Sequence, residues 1–177
     1  MPDRKFLAAA FTALLLLPGP AAADTALATS ARHFADPKKV GEAVLKYLFW
    51  DVYRAELFAP PQGWRPDAPF ALSLNYLRDI DGIDIADRTI SEMRDQGFSD
   101  DGKLSTWQSR LRDIFPNVSD GTRLTGVRDR DGNTIFYRNG EKIGEIKDPD
   151  FTRRFFDIWL SEKTSEPSLR RALLGGS

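Results

Sequence analysis

An α+β fold with an antiparallel sheet is what the hydrophobic pattern of this chain predicts, and three observations carry the prediction. Phe70, Leu72, Leu74 and Tyr76 place large apolar residues at every second position, the period of a half-buried strand. Apolar residues then recur at three- and four-residue spacing, over Ala86, Ile90 and Met93 and over Leu104, Trp107, Leu111 and Ile114, the period of amphipathic helices. After Asp120-Gly121 the strand period returns in short runs separated by Asp131-Gly132 and Asn139-Gly140, dipeptides that close antiparallel hairpins. Strands, two helices and strands again is the order of an α+β domain rather than of a parallel βαβ one.

Taken in order, residues 1–23 stand apart from the fold. Arg4 and Lys5 precede an apolar run from Phe6 to Leu17, interrupted only by Thr12; Pro18-Gly19-Pro20 ends it, and Ala21-Ala22-Ala23 leads to Asp24. This is the layout of a secretory signal peptide cleaved after Ala23. As a helix the run would reach about 18 Å, short of the ~30 Å hydrocarbon core. The expectation is therefore a periplasmic protein with no stable membrane span after cleavage. Residues 24–39, rich in Ala and polar residues and ending in Asp36-Pro37, read as an irregular lead-in. Residues 40–175 form the domain proper.

Within it, Gly41 to Phe58 is dense in aromatic, β-branched and long apolar residues, which suits a long or bent strand pair, stopped by Ala59-Pro60-Pro61-Gln62-Gly63. The Phe70–Tyr76 strand follows, then the two helices, ending near Gly97 and before Pro116, with Asp84 and Ser105 near their N-caps. Strands around Leu124–Val127, Thr134–Tyr137 and Ile143–Ile146 read as a meander. Asp148-Pro149-Asp150 opens a helix that repeats Phe151, Phe155 and Trp159 every fourth residue, and a short helix from Ser168 to Leu174 stops at Gly175-Gly176.

Composition bounds the chemistry. Of 177 residues, 41% are hydrophobic and 29% charged, a globular balance with room for one ordinary core. Lys and Arg number 25 against 26 Asp and Glu, so no global field attracts nucleic acid, and no nucleic-acid partner is expected. The chain has no cysteine and one histidine, His33, which removes disulfides, thiolate sites and His-rich zinc sites. No phosphate-binding or nucleophile-elbow motif occurs. Asp79, Asp81 and Asp84 crowd around Gly82 without the ligand order of a calcium loop and read as turn and cap residues. Neither a metal nor a cofactor is expected.

The excess of aromatics between Tyr47 and Tyr76 is mostly core. Beside it, however, lie Lys46, Tyr76 and Arg78, on or next to apolar strand faces. A buried cation needs an anion. Where no protein carboxylate supplies one, an apolar pocket with convergent cations suits a small amphipathic or anionic ligand, fatty-acid-like or phenolic.

The blocks VYRAELFAP (Val52 to Pro60), LNYLRDIDG (Leu74 to Gly82), IFPNVSDGTRLTG (Ile114 to Gly126) and FYRNGEKIGEIKDPDFTRRFFDIWLSEKTSEPSLRRALLG (Phe136 to Gly175) resemble the bacterial exported branch of the chalcone isomerase-like family. The resemblance runs over roughly Val40 to Gly175. It implies an open-faced β-sandwich, in which a large antiparallel sheet curls against a layer of helices with a ligand cleft between them. Plant members cyclise chalcones with an arginine, a threonine, a tyrosine and an asparagine; fatty-acid-binding relatives keep an arginine and a tyrosine for the carboxylate. Carried onto this chain, the threonine falls at Leu48, the tyrosine near Ile85 and the asparagine near Glu92, with Lys46 the nearest cation in place of the arginine. Leu48 and Ile85 cannot donate hydrogen bonds to an oxyanion, and a lysine lacks the guanidinium fork. The first reading is accordingly a non-catalytic binder in which Lys46, Tyr76 and Arg78 meet the polar end of a ligand while Leu48, Trp50 and Leu72 line the apolar part. Two alternatives stay open: an isomerase or intramolecular lyase with a rearranged polar set, and a structural or partner-binding domain with a filled cleft.

Overall fold

The computed structural model describes residues 22–176. The expected leader through Ala21 lies outside the described residues. Six strands follow one another in space as they do in sequence, every neighbour antiparallel: β1 (Lys38–Tyr47), β2 (Trp50–Ala59), β3 (Phe70–Tyr76), β4 (Arg123–Arg128), β5 (Thr134–Arg138) and β6 (Glu141–Ile146). Helices α2 (Gly82–Asp95) and α3 (Asp101–Ile114) join β3 to β4, and α4 (Pro149–Leu160) and α5 (Pro167–Leu173) close the chain. The strand pair, the two helices, the meander and the terminal helices all stand where the hydrophobic period places them.

Two local expectations are corrected. The lead-in is not irregular throughout: α1 spans Ala22–Ala31, and β1 already begins at Lys38. Helices α2 and α3 start earlier than Asp84 and Ser105 indicated, with Asp81 and Asp100 at their N-caps; the Asp100 side chain accepts from the Lys103 backbone N–H at 3.0 Å. The apolar stripe marks only the face a helix buries, so the polar first turn is invisible to it.

Strand periodicity divides the sheet into two faces. The row Leu57–Leu72–Gly126–Phe136–Gly144 crosses five strands on the inner face, under α2 to α5. Its glycines mark where helices press closest. A Cβ on Gly144 would stand 2.7 Å from Ile114 of α3, and one on Gly126 3.2 Å from the Phe155 ring of α4. At the other edge, a Cβ on Gly41 would meet the Ala172 carbonyl at 2.1 Å, so α5 lies directly on β1. The α4 N-terminus is tied to α3 through Asp148, which caps Asp150 and Phe151 and accepts from the Trp107 indole N–H at 3.0 Å.

On the outer face the neighbouring row is Glu56–Ser73–Thr125–Tyr137. Here α1 covers the sheet, and Ala26 and Phe34 pack with Phe58, Ala71, Val127 and Tyr137 into a second, smaller core.

Candidate functional site

Between the inner face and the helices the side chains leave a cavity of about 900 Å³, within the range of small-molecule sites. Leu72, Leu74, Leu124 and Phe136 rise from the sheet to form its floor, and Phe155, Ile158 and Trp159 of α4 face them. The floor is apolar because every second residue of β3 and β4 points inward. At Gly126 the missing side chain lets Phe155 and Phe156 rest on bare backbone, which fixes α4 against the sheet beside the cavity.

Polar groups gather toward the end nearest the β1–β2 hairpin. Tyr53 and Tyr76 are opposite one another on β2 and β3, their rings edge-to-face with centroids 5.8 Å apart. The Tyr53 hydroxyl accepts from the Trp159 indole N–H at 2.9 Å. The Tyr76 hydroxyl has no protein hydrogen-bond partner among the described residues, although the residue is 3% exposed. Burial pushes both hydroxyls well above the ordinary tyrosine range, so each keeps its proton. They are donors, not bases.

Three cations belong to the lining, and their partners differ. Lys46 is exposed and lies 3.3 Å from Asp51, while Arg88 pairs with Glu92 on α2. Glu92 is itself buried and accepts from the Ser165 hydroxyl at 3.0 Å. Arg78, just beyond the end of β3, has no carboxylate partner among the described residues. Its guanidinium lies over the Trp50 ring, 5.6 Å from the centroid.

Of the residues singled out from sequence, Lys46, Leu72, Tyr76 and Arg78 line the cavity. Leu48 and Trp50 do not. The family resemblance places Leu48 on a strand beside the cavity, but the chain reverses at Leu48-Phe49, which lifts Leu48 into the turn and Trp50 to the start of β2. Trp50 meets the site through Arg78, whose guanidinium lies over its ring. Ile85 and Glu92 do reach the lining. Sequence reasoning passed over Tyr53, Arg88, Trp159 and Ser165. Tyr53 could have been found from its two-residue spacing to Ala55 and Leu57; Trp159 had been assigned to a core stripe, which it also serves.

Comparison with known proteins bears on the fold and the family. No curated protein matches the chain. The crystal structure of a fatty-acid binding protein from Arabidopsis thaliana superposes with a TM-score of 0.60 at 14% identity, over 80% of this chain and 88% of that one. At that identity the likeness establishes the α+β fold, an open antiparallel sheet packed against helices. The family description "chalcone isomerase-like" matches residues 40–175, from the third residue of β1 to just past α5. The chain belongs to the chalcone isomerase-like family.

Proposed function

We propose that the protein is a non-catalytic carrier of a small amphipathic anion, a fatty acid or a molecule of similar shape, held in the inner-face cavity. The observation that supports this most is the pairing of an apolar cavity with two donors that have no protein acceptor among the described residues, the buried Tyr76 hydroxyl and the exposed Arg78 guanidinium. A carboxylate placed between them would accept from both, and the chain or ring behind it would lie against Leu72, Leu124 and Phe155. Charge-assisted bonds of this kind are about twice as strong as neutral ones. Lys46 adds positive charge at the rim but already has Asp51. The solved relative described as fatty-acid binding supports the ligand class. Within the family we place the protein on a bacterial exported branch, delivered to the periplasm by cleavage after Ala23.

A second reading uses the same cavity. Arg88, Glu92 and Ser165 form a connected polar group on its lining, apart from Tyr76 and Arg78. A rearranged set of this kind is what an isomerase or intramolecular lyase would need. Native mass spectrometry of the purified protein, followed by denaturation and identification of any released acid, tests both readings. A stoichiometric acid that is lost on Tyr76→Phe and returned unchanged after incubation supports the carrier. Conversion of that acid to an isomer of equal mass, abolished by Glu92→Gln, supports the enzyme. Ligand-free protein that also fails to take up added fatty acids contradicts the carrier.

A further inference from the structure

The β1–β2 hairpin ends in a turn with the wrong residues for a turn. Two-residue connections favour glycine, asparagine or aspartate because their backbone takes positive φ. Here the connecting pair is Leu48-Phe49, and Leu48 adopts φ +54°, which disfavours a residue with a bulky side chain. Packing does not compensate. Leu48 is 76% exposed and Phe49 97%, and Tyr47 and Trp50 behind them are 67% and 63% exposed. Four consecutive large apolar residues therefore project into solvent from a convex tip.

The tip is layered by polarity. Leu48 and Phe49 form the apex, Tyr47 and Trp50 face each other as the next pair, and the Lys46–Asp51 ion pair lies below. Hydrocarbon first, then rings with a single polar group, then charge is the order met on leaving a bilayer core through its interface. The two outer layers, at about 3.3 Å per strand residue, fit the ~5–10 Å depth that interfacial segments reach. A stable protein partner needs roughly 800 Å² of complementary surface on each side. Side chains radiating from a two-residue turn offer no such plane, whereas fluid lipid accommodates them in every direction. We propose that this tip docks the protein onto a lipid bilayer by inserting Leu48 and Phe49, with Tyr47 and Trp50 at headgroup level.

Charge does not drive the docking. In the cavity lining behind the tip, Lys46, Arg78 and Arg88 are outnumbered by Asp79, Asp81, Asp84, Glu92 and Glu166, so no excess of positive charge calls for anionic lipid, zwitterionic lipid suffices and added salt has little effect. No helix among the described residues is long and apolar enough to cross a membrane, and the tip binds at the surface. Leu45, Lys46 and Tyr47 also line the cavity, so docking brings that end of the cavity to the bilayer. The further idea that ligand passes there between lipid and protein rests on the carrier reading; the docking itself does not.

The test is flotation with phosphatidylcholine vesicles, wild type against Leu48→Gly/Phe49→Ser in the same form of the chain. A Gly-Ser connection suits a two-residue turn better than Leu-Phe, so the thermal midpoint should hold or rise. Wild type should float equally at low and high salt, and brominated acyl chains should quench its tryptophan emission. The variant should lose about tenfold or more in partition, from the apolar area it no longer buries. Absence of wild-type flotation, or equal flotation of both proteins, overturns the proposal. So does concentration-dependent self-association of wild type that the variant abolishes, which would make the tip a contact between copies. Fatty-acid uptake is measured separately without vesicles, so failure of the carrier reading leaves the docking result intact.

Discussion

On the outer face of the sheet, Glu56 and Ser73 bind Arg123 at 2.6 and 2.9 Å, Ser73 and Thr125 share a hydrogen bond of 2.9 Å, and α1 closes over the adjoining apolar residues. On the inner face, one residue away along the same strands, the Tyr76 hydroxyl beside a cavity of about 900 Å³ has no partner among the described residues, and Arg78 has no carboxylate among them. Both faces carry polar groups next to a hydrophobic core. The outer face pairs Glu56 with Arg123 within the chain, although Arg123 Nε and Asn75 Oδ1 stay buried there without a partner among the described residues. The inner face leaves the Tyr76 hydroxyl and the exposed Arg78 guanidinium beside open space. Being buried and polar therefore does not mark a binding site in this fold; a donor without a protein acceptor that opens onto a cavity does.

The sharpest way to break this contrast is Glu56→Ala. It strands the Arg123 guanidinium, 5% exposed, without its carboxylate, and should cost about 3–5 kcal/mol in denaturant unfolding. Replacing both partners, Glu56→Leu with Arg123→Met, should recover most of that loss. A double variant as unstable as the single one would show that the pair does more than neutralise itself.

On the inner face the balance reverses. Tyr76→Phe removes a hydroxyl that bonds nothing among the described residues, so stability should change by less than about 1 kcal/mol. Fatty-acid affinity should fall about tenfold. Arg78→Met should weaken binding by a similar or larger factor, because a charged donor is lost. Lys46→Ala should do less than either, since Asp51 already engages that ammonium. Equal losses for Lys46 and Arg78, read by displacement of a fluorescent fatty acid, would place the head group at the rim instead.

The smallest effect concerns the α1 side. His33 Nε2 and the Tyr137 hydroxyl lie 2.7 Å apart. Burial lowers the histidine below its ordinary value of 6.5; Arg32 and Lys142 add to the depression and Asp129 opposes it. Between the depressed folded value and 6.5 the unfolded chain binds more protons than the folded one, so stability rises with pH across that window and is lost as pH falls through it. His33→Gln should flatten the slope. A slope that survives the substitution would assign it to other groups.

How legible these faces were in the sequence differs in the same way. The inner-face strand Phe70–Tyr76 and the stripes of α2, α3 and α4 announce themselves by period, and with them come Leu72 and Tyr76 at the cavity. Arg78 follows from the same alternation, continued by two residues. The outer face was harder to read. Glu56 and Ser73 look like solvent-facing strand residues until α1 covers that side, and α1 falls in a stretch with little amphipathic pattern. The hairpin tip misled for a specific reason. KYLFWD contains none of the glycine, proline or asparagine that normally announces a reversal, so the place of the turn within the strand pair is not legible there, and Leu48 and Trp50 are assigned to the cavity lining instead of the tip.

The central claim is that the inner-face cavity holds an amphipathic anion by Tyr76 and Arg78, and calorimetric titration of a long-chain saturated fatty acid at several temperatures tests it most directly. The account predicts one site per chain and a negative heat-capacity change from burying the hydrocarbon. It also predicts an affinity about tenfold weaker in Tyr76→Phe and in Arg78→Met, with the fold of both variants unchanged. Absence of saturable binding, or binding that neither substitution weakens, would contradict it.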